Sequence, residues 1–152
     1  MMRPNRIPWR KQRGNAIIEF ALAFTFLLPA FLGTFQLGLT MFYYNELVNA
    51  VRAAARYAGM RNYDSPTSTP SAAYIASVKN VAVYGHPDGG TTPVVPELKP
   101  EHIRVTVAFE NSVPSKVTVS LNNFLMNAIL KRMTISKPLA TFPYLGVFMP
   151  AQ

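Results

Sequence analysis

The sequence predicts an α+β protein: a long N-terminal transmembrane helix continuing into a stem, followed by a small extracytoplasmic α+β head with a short antiparallel sheet. Three observations lead there. The run FALAFTFLLPAFLGTFQLGLTMFYY, residues 20–44, carries no charge and reaches about 37 Å as a helix, enough to span a bilayer with some tilt. Beyond it, NELVNAVRAAARYAGM keeps apolar residues at helical spacing. Further on, IRVTVAF and KVTVSL alternate β-branched with other residues around the turn-forming NSVPS, the pattern of a hairpin.

The distribution of charge supports the membrane assignment of the first element. The formal net charge is +8, but Arg3, Arg6, Arg10, Lys11 and Arg13 all precede the first acid, Glu19. After Gly14, ten basic residues face seven acidic ones, a net of +3. The basicity is therefore a property of the N-terminus and fits a cytoplasmic retention signal better than a nucleic-acid surface. Residues 1–14 read as a basic cytoplasmic leader, 15–59 as transmembrane and stem helix, and 60–152 as the head. Trp9 and the basic cluster mark the near interface of the bilayer, and Phe42, Tyr43 and Tyr44 the far one. The apolar run is too long for a typical cleaved secretory signal. A plain uncleaved anchor is the stronger competitor.

The helix is expected from about Ala16 to Ala58, with Leu47, Val51, Ala54, Ala55 and Ala58 on one stripe and Gly59 as its stop. Pro29, Gly33 and Gly38 would weaken it in water but are tolerated in a membrane, and the two glycines permit close helix packing. Arg52 and Arg56 share a face and read as a solvated stripe, with contact to a neighbouring subunit as the alternative. Glu19 is the anomaly, because an ionised carboxylate is expensive in hydrocarbon. Two arrangements make it tolerable. It can snorkel toward the headgroups with no specific role. Alternatively, cleavage between Gly14 and Asn15 creates an α-ammonium four residues before Glu19, and the two charges pair within one helix or between neighbours, fixing their register.

A basic leader ending in Gly14, then four residues, Glu19-Phe20 and a long apolar helix resembles the class III signal of type IV pilin-like proteins. The stretch from Ile17 to Gly59 resembles the TadE-like family, minor pilins of the bacterial tight-adherence (Tad) pilus system, through Ile18-Glu19-Phe20-Ala21-Leu22, Pro29 and the Ala-Arg-rich exit Val51 to Ala58. The resemblance covers about the first third of the chain. It implies a structural role in pilus assembly, a place in the bacterial inner membrane with the head periplasmic or extracellular, and cleavage after Gly14 by a membrane-embedded aspartic prepilin peptidase. It also implies that Glu19 neutralises a neighbour's new N-terminus, with other pilin-like and Tad assembly subunits as partners. The sequence departs from classical type IV pilins at Asn15, where they carry a methylated apolar residue.

In the distal part, RNYDSPTSTPS reads as a linker or exposed loop that lets the head fold apart. SAAYIASVKNVAVYG reads as a second helix with Ser71 as N-cap and Ala72, Ile75, Val78 and Ala82 on its apolar stripe. After the hairpin, NNFLMNAILKR suggests a short amphipathic helix, and RMTISKPLATFP a third strand interrupted at Pro138, an edge position. The C-terminal YLGVFMPAQ either tucks into the head or docks on another subunit.

The sequence offers no catalytic constellation. Cysteine is absent, so neither disulfides nor thiolate metal sites are available. His86 and His102, with Asp88, Glu97 and Glu101, show no metal-ligand spacing, and GHPDGG lacks the lysine and hydroxyl of a phosphate-binding loop. The expectation is a non-enzymatic protein with no cofactor, no metal, no nucleic-acid partner and no small-molecule substrate. The alternative function is an uncleaved single-pass envelope-anchored sensor or binding module.

Overall fold

The computed structural model describes residues 12–127, 132–135 and 137–149; most of the expected leader lies outside them. Helix α1 runs over Gln12–Met60, with Pro29 inside it. Thr25 and Thr34 turn their hydroxyls back onto the Ala21 and Ala30 carbonyls at 2.8 and 2.9 Å, which satisfies these polar groups within the helix itself. The chain divides into two compact units, residues up to Leu39 and Thr40–Gln152. In the first, every described residue from Gly14 to Leu32 is exposed, although the segment is almost wholly apolar.

The second unit is built around the last turns of α1. The expected stripe is its core: Leu47, Val51, Ala54, Ala55 and Ala58 are all at most 1 % exposed. Helix α2, Ala72–Tyr84, begins as expected, with the Ser71 hydroxyl accepting the Tyr74 N–H at 3.1 Å, and ends on Gly85 in the left-handed conformation. Its buried face keeps Val78 and Ala82 of the expected stripe but is turned away from Ala72 and Ile75. Tyr74, Val78, Val81, Ala82 and Val83 face the core, while Ala72 is exposed and Ile75 half-buried. Tyr74 lies on this face, and its hydroxyl donates to the Ala58 carbonyl at 2.5 Å.

Strands β1, Ile103–Glu110, and β2, Val113–Leu121, form the expected hairpin, joined by the two residues Asn111 and Ser112. Both have positive φ, 53° and 62°, as a tight primed turn that matches strand twist requires. Val105, Val107 and Phe109 point inward against Val117 and Val119. The register shifts between Ala108 and Phe109, which pair with Lys116 and Pro114, so Ser115 bulges and Pro114 is accommodated.

The expected third strand divides at the cis Lys137–Pro138 bond. Strand β5, Leu139–Pro143, lies on the edge of a three-stranded antiparallel sheet of order β1-β2-β5. The preceding strand β4, Arg132–Ile135, pairs instead with β3, Phe124–Asn127. The expected helix over NNFLMNAILKR is thereby corrected: Phe124–Asn127 is extended, and residues 128–131 lie outside the described residues. Phe124 and Met126 are buried with Leu125 exposed between them, an alternation that serves a strand as well as the apolar spacing serves a helix over so few residues.

The expected linker or exposed loop is exposed at residues 62, 64 and 66–69, but it is anchored to the head at Tyr63. Tyr63 is fully buried and meets Tyr74, Phe109, Tyr144 and Phe148 with ring centroids 5.3 to 6.2 Å apart. The C-terminal segment tucks into the head: the Tyr63 N–H donates to the Val147 carbonyl and the Met149 N–H to the Tyr63 carbonyl, both at 3.0 Å. The end of α1 is satisfied by the same distant segments. Helix ends leave carbonyls without intrahelical donors. Here the Tyr74 hydroxyl serves Ala58, and the Leu145 and Gly146 N–H groups serve Gly59 at 2.7 and 3.0 Å. Gly59 is inside the helix rather than its stop, and a Cβ there would stand 2.8 Å from the Pro143 carbonyl oxygen.

Candidate functional site

The residues singled out in the N-terminal segment all lie on α1. Gly14, Asn15 and Glu19 occupy its first turns and are exposed. Glu19 takes part in none of the ion pairs among the described residues, which join His86 to Asp88, Lys99 to Glu101 and Glu110 to Lys116. From Gly14 to Glu19 the axial rise is about 7.5 Å, and residues 15 and 19 are one turn apart on the same face.

Along the apolar run, Ile17, Ile18, Phe20, Leu22, Phe26, Leu27 and Phe31 are each more than 60 % exposed. That exposure would be strongly unfavourable in water. Phe20 and Phe24 stack at 5.9 Å. Around Pro29, the side chains of Phe24, Leu27, Leu28, Ala30, Phe31 and Thr34 line an open apolar groove of about 560 Å³. At Gly14, Gly33 and Gly38 an added Cβ would meet nothing within 4 Å, so nothing in the chain itself requires glycine there. Among the described residues α1 is the one helix long and apolar enough to cross a membrane.

Residues 14–56 match the TadE-like protein family. The match starts at Gly14, takes in Asn15, Glu19, Pro29, Gly33 and Gly38, and closes at Arg56, so the TadE-like segment is α1 without its last turn. It agrees with the resemblance read from the sequence and suggests a pilin-like protein associated with the Tad pilus, a family that is structural in kind. No curated protein and no solved structure matches the chain.

The remaining candidates are distributed over the head. His86 stands 3.6 Å from Asp88, both well exposed. His102 accepts the Lys99 N–H through Nδ1 at 3.1 Å and sets its ring against Phe124. These are local turn and packing contacts. Arg52 and Arg56 are exposed, as expected. The aromatic residues Phe109, Phe142, Tyr144 and Phe148 pack on the core, as their place in strand and C-terminal sequence suggests, whereas sequence reasoning missed their partners Tyr63 and Tyr74. The Tyr144 hydroxyl accepts the Tyr63 N–H at 2.9 Å and faces the Val147 and Arg61 carbonyls. Burial raises the Tyr63, Tyr74 and Tyr144 phenols above their ordinary value, Tyr74 most. The signal for Tyr63 was weak, an isolated tyrosine in polar sequence that reads as core only once it is known to meet the aromatic residues around 142–148.

Proposed function

We propose that the chain is a minor pilin-like structural protein for assembly of a Tad-type (type IVc) pilus, inserted in the bacterial inner membrane by α1 and cut after Gly14 by a prepilin peptidase. The observation that carries this reading is the family match over 14–56, which joins the small residue Gly14, the acid Glu19 and the exposed apolar helix in one continuous segment. In this reading Gly14 and Asn15 are the processing site, and Gly14 suits a peptidase because it has no side chain to exclude.

Cleavage frees an α-ammonium on Asn15, on the face of the helix that carries Glu19 one turn on. In a bilayer both charges are unfavourable alone. Pairing them, within a helix or with the Glu19 of a neighbour, removes much of that penalty and selects the stagger at which neighbouring helices pack. Gly33 and Gly38, open on their outer sides, let a second helix approach closely. The mechanism is packing: α1 supplies helix contacts, Glu19 supplies register, and the head supplies surface for other Tad subunits.

The test is intact mass and N-terminal sequencing of membrane-extracted protein from cells with and without a prepilin peptidase. A start at Asn15 only when the peptidase is present supports the proposal. A start at Met1 or Met2 in both strains refutes it and leaves an uncleaved anchored module.

A further inference from the structure

Within the second unit, the side of α1 that carries Tyr44, Val48 and Arg52 borders a cleft of about 340 Å³ whose other wall is Lys137, Pro138 and Leu139, at the cis-proline turn between β4 and β5. The three helix residues recur every four positions and so form one stripe. The two cations of this cleft belong to none of the ion pairs among the described residues. The nearest acid in sequence, Glu46, is two residues from both Tyr44 and Val48 and hence on another side of the helix. Two unneutralised cations on one small cleft attract an anion.

The cleft's height along α1 decides which anion. Tyr44 is the last residue of the uncharged run, and Met41, Phe42 and Tyr44 are exposed around the helix there. Arg52 is about 12 Å further along the axis. Side chains of a helix lean toward its N-terminus, so a long basic side chain at 52 extends back over the turn of Val48, toward the bilayer surface. Tyr44 and Val48, N-terminal to Arg52 on the helix, and Leu139 opposite give the cleft an apolar lining. A ligand that fits has a phosphate beside Arg52 and Lys137 and hydrocarbon running down past Val48 and Tyr44.

We propose that this cleft binds an anionic phospholipid, phosphatidylglycerol in type, from the leaflet on the head's side of the membrane. The headgroup phosphate is held by Arg52 and Lys137. The inference rests on α1 spanning the membrane, as proposed above. Its consequence is a lipid-anchored stem at the interface, with the head kept at a fixed height by two charge contacts.

The experiment uses the full chain in nanodiscs of mixed phosphatidylcholine and phosphatidylglycerol, with co-released lipids counted by native mass spectrometry. Wild type is expected to retain phosphatidylglycerol over phosphatidylcholine. The Arg52→Gln/Lys137→Gln variant should lose about fivefold per cation, ~25-fold together, from the worth of one basic residue near an anionic surface. An Arg104→Gln/Lys79→Gln variant, equal in charge but outside the cleft, should retain the preference. Both cleft residues are exposed, and near-UV circular dichroism checks that the variants stay folded. Equal retention of the two lipids by wild type, or equal losses in the two variants, overturns the proposal. Displacement by millimolar inorganic phosphate also overturns it, in favour of a free-anion site. Alkaline extraction separates the two readings. A chain that leaves the bilayer refutes the membrane span and the lipid site together, whereas one that stays without lipid preference refutes the lipid site alone.

Discussion

Replacing Tyr74 by phenylalanine removes one oxygen atom and tests how the stem is joined to the head. Tyr74 and Ala58 are both fully buried, and the phenol donates to the Ala58 carbonyl. That carbonyl would be served in a longer helix by the N–H of residue 62, but α1 ends at Met60. The variant therefore leaves a buried acceptor unsatisfied, which costs about 1–3 kcal/mol. The phenyl ring still fills its place against Tyr63. For a unit of this size, a loss of ~2 kcal/mol lowers the melting temperature by about 8 °C or more. The same residue gives a pH signature. A phenol is neutral when protonated, and burial raises the folded-state value of Tyr74 above 10.0. Above pH 10 the unfolded chain then binds fewer protons than the folded one, so stability is fully present below about pH 10 and falls as pH rises toward the folded-state value. Thermal unfolding of the full chain in detergent, followed by near-UV circular dichroism between pH 7 and 11, measures both effects. Tyr74→Phe should melt lower at pH 7 and lose less stability than wild type between pH 10 and 11. A melting temperature within 1 °C of wild type at pH 7, or an unchanged alkaline slope, would refute the capping argument.

Two other substitutions probe different parts of the chain. Gly59→Ala places a Cβ 2.8 Å from the Pro143 carbonyl oxygen, where the obstacle is backbone. Helix propensity gains about 1 kcal/mol against overpacking of about 1–3 kcal/mol, so the net effect in urea unfolding should be a loss of ~1 kcal/mol, and a stabilised variant would show that β5 yields freely. Glu19→Ala should leave membrane insertion and most cleavage intact while reducing piliation, counted by electron microscopy of sheared filaments. Normal piliation in that variant would remove charge pairing as the source of register.

The parts of the fold legible in the sequence were those set by local rules. The alternation in 103–109 and 116–121 defines the hairpin whatever surrounds it, and the Ser71 hydroxyl needs only the N–H of its own first turn. The stripe Leu47, Val51, Ala54, Ala55 and Ala58 was legible because five apolar positions over three turns leave one face to bury. Where a residue's role depends on a distant segment, local reading failed. Tyr63 stands among Ser, Thr and Pro, and only contact with Tyr144 and Phe148, more than eighty residues on, makes it core. Gly59 resembled a stop signal, whereas its lack of a side chain serves the approach of Pro143. Phe124 and Met126 lie in too short an apolar window to choose between periods of 3.6 and 2, and pairing with Ile135 and Met133 decides for the strand. In the N-terminal segment the sequence was informative for the opposite reason: absence of charge over 25 residues is a property of the run as a whole and needs no tertiary partner to be read.

The two units accordingly meet their physical requirements in different ways. The head buries its apolar residues in one cluster drawn from α1, α2 and the strands, and its helix ends are capped by its own phenol and backbone groups. Residues 14–39 have no such internal solution. Ile17, Phe20, Phe26 and Phe31 project from a helix whose backbone is already satisfied, and at about 25 cal/mol per Å² of apolar surface their exposure to water would outweigh the modest stability of a small domain. Their covering must come from outside the chain. Lipid covers apolar side chains without distinguishing one helix face from another, so a helix in lipid alone gains no register. The element of this segment able to distinguish one stagger from another is a charge, and Glu19 is the only one from Asn15 to Asn45. In the proposed assembly Glu19 is the acid that sets register, and the piliation count of Glu19→Ala weighs that role directly against the interfacial alternative, in which the same carboxylate merely reaches the headgroups and assembly proceeds without it.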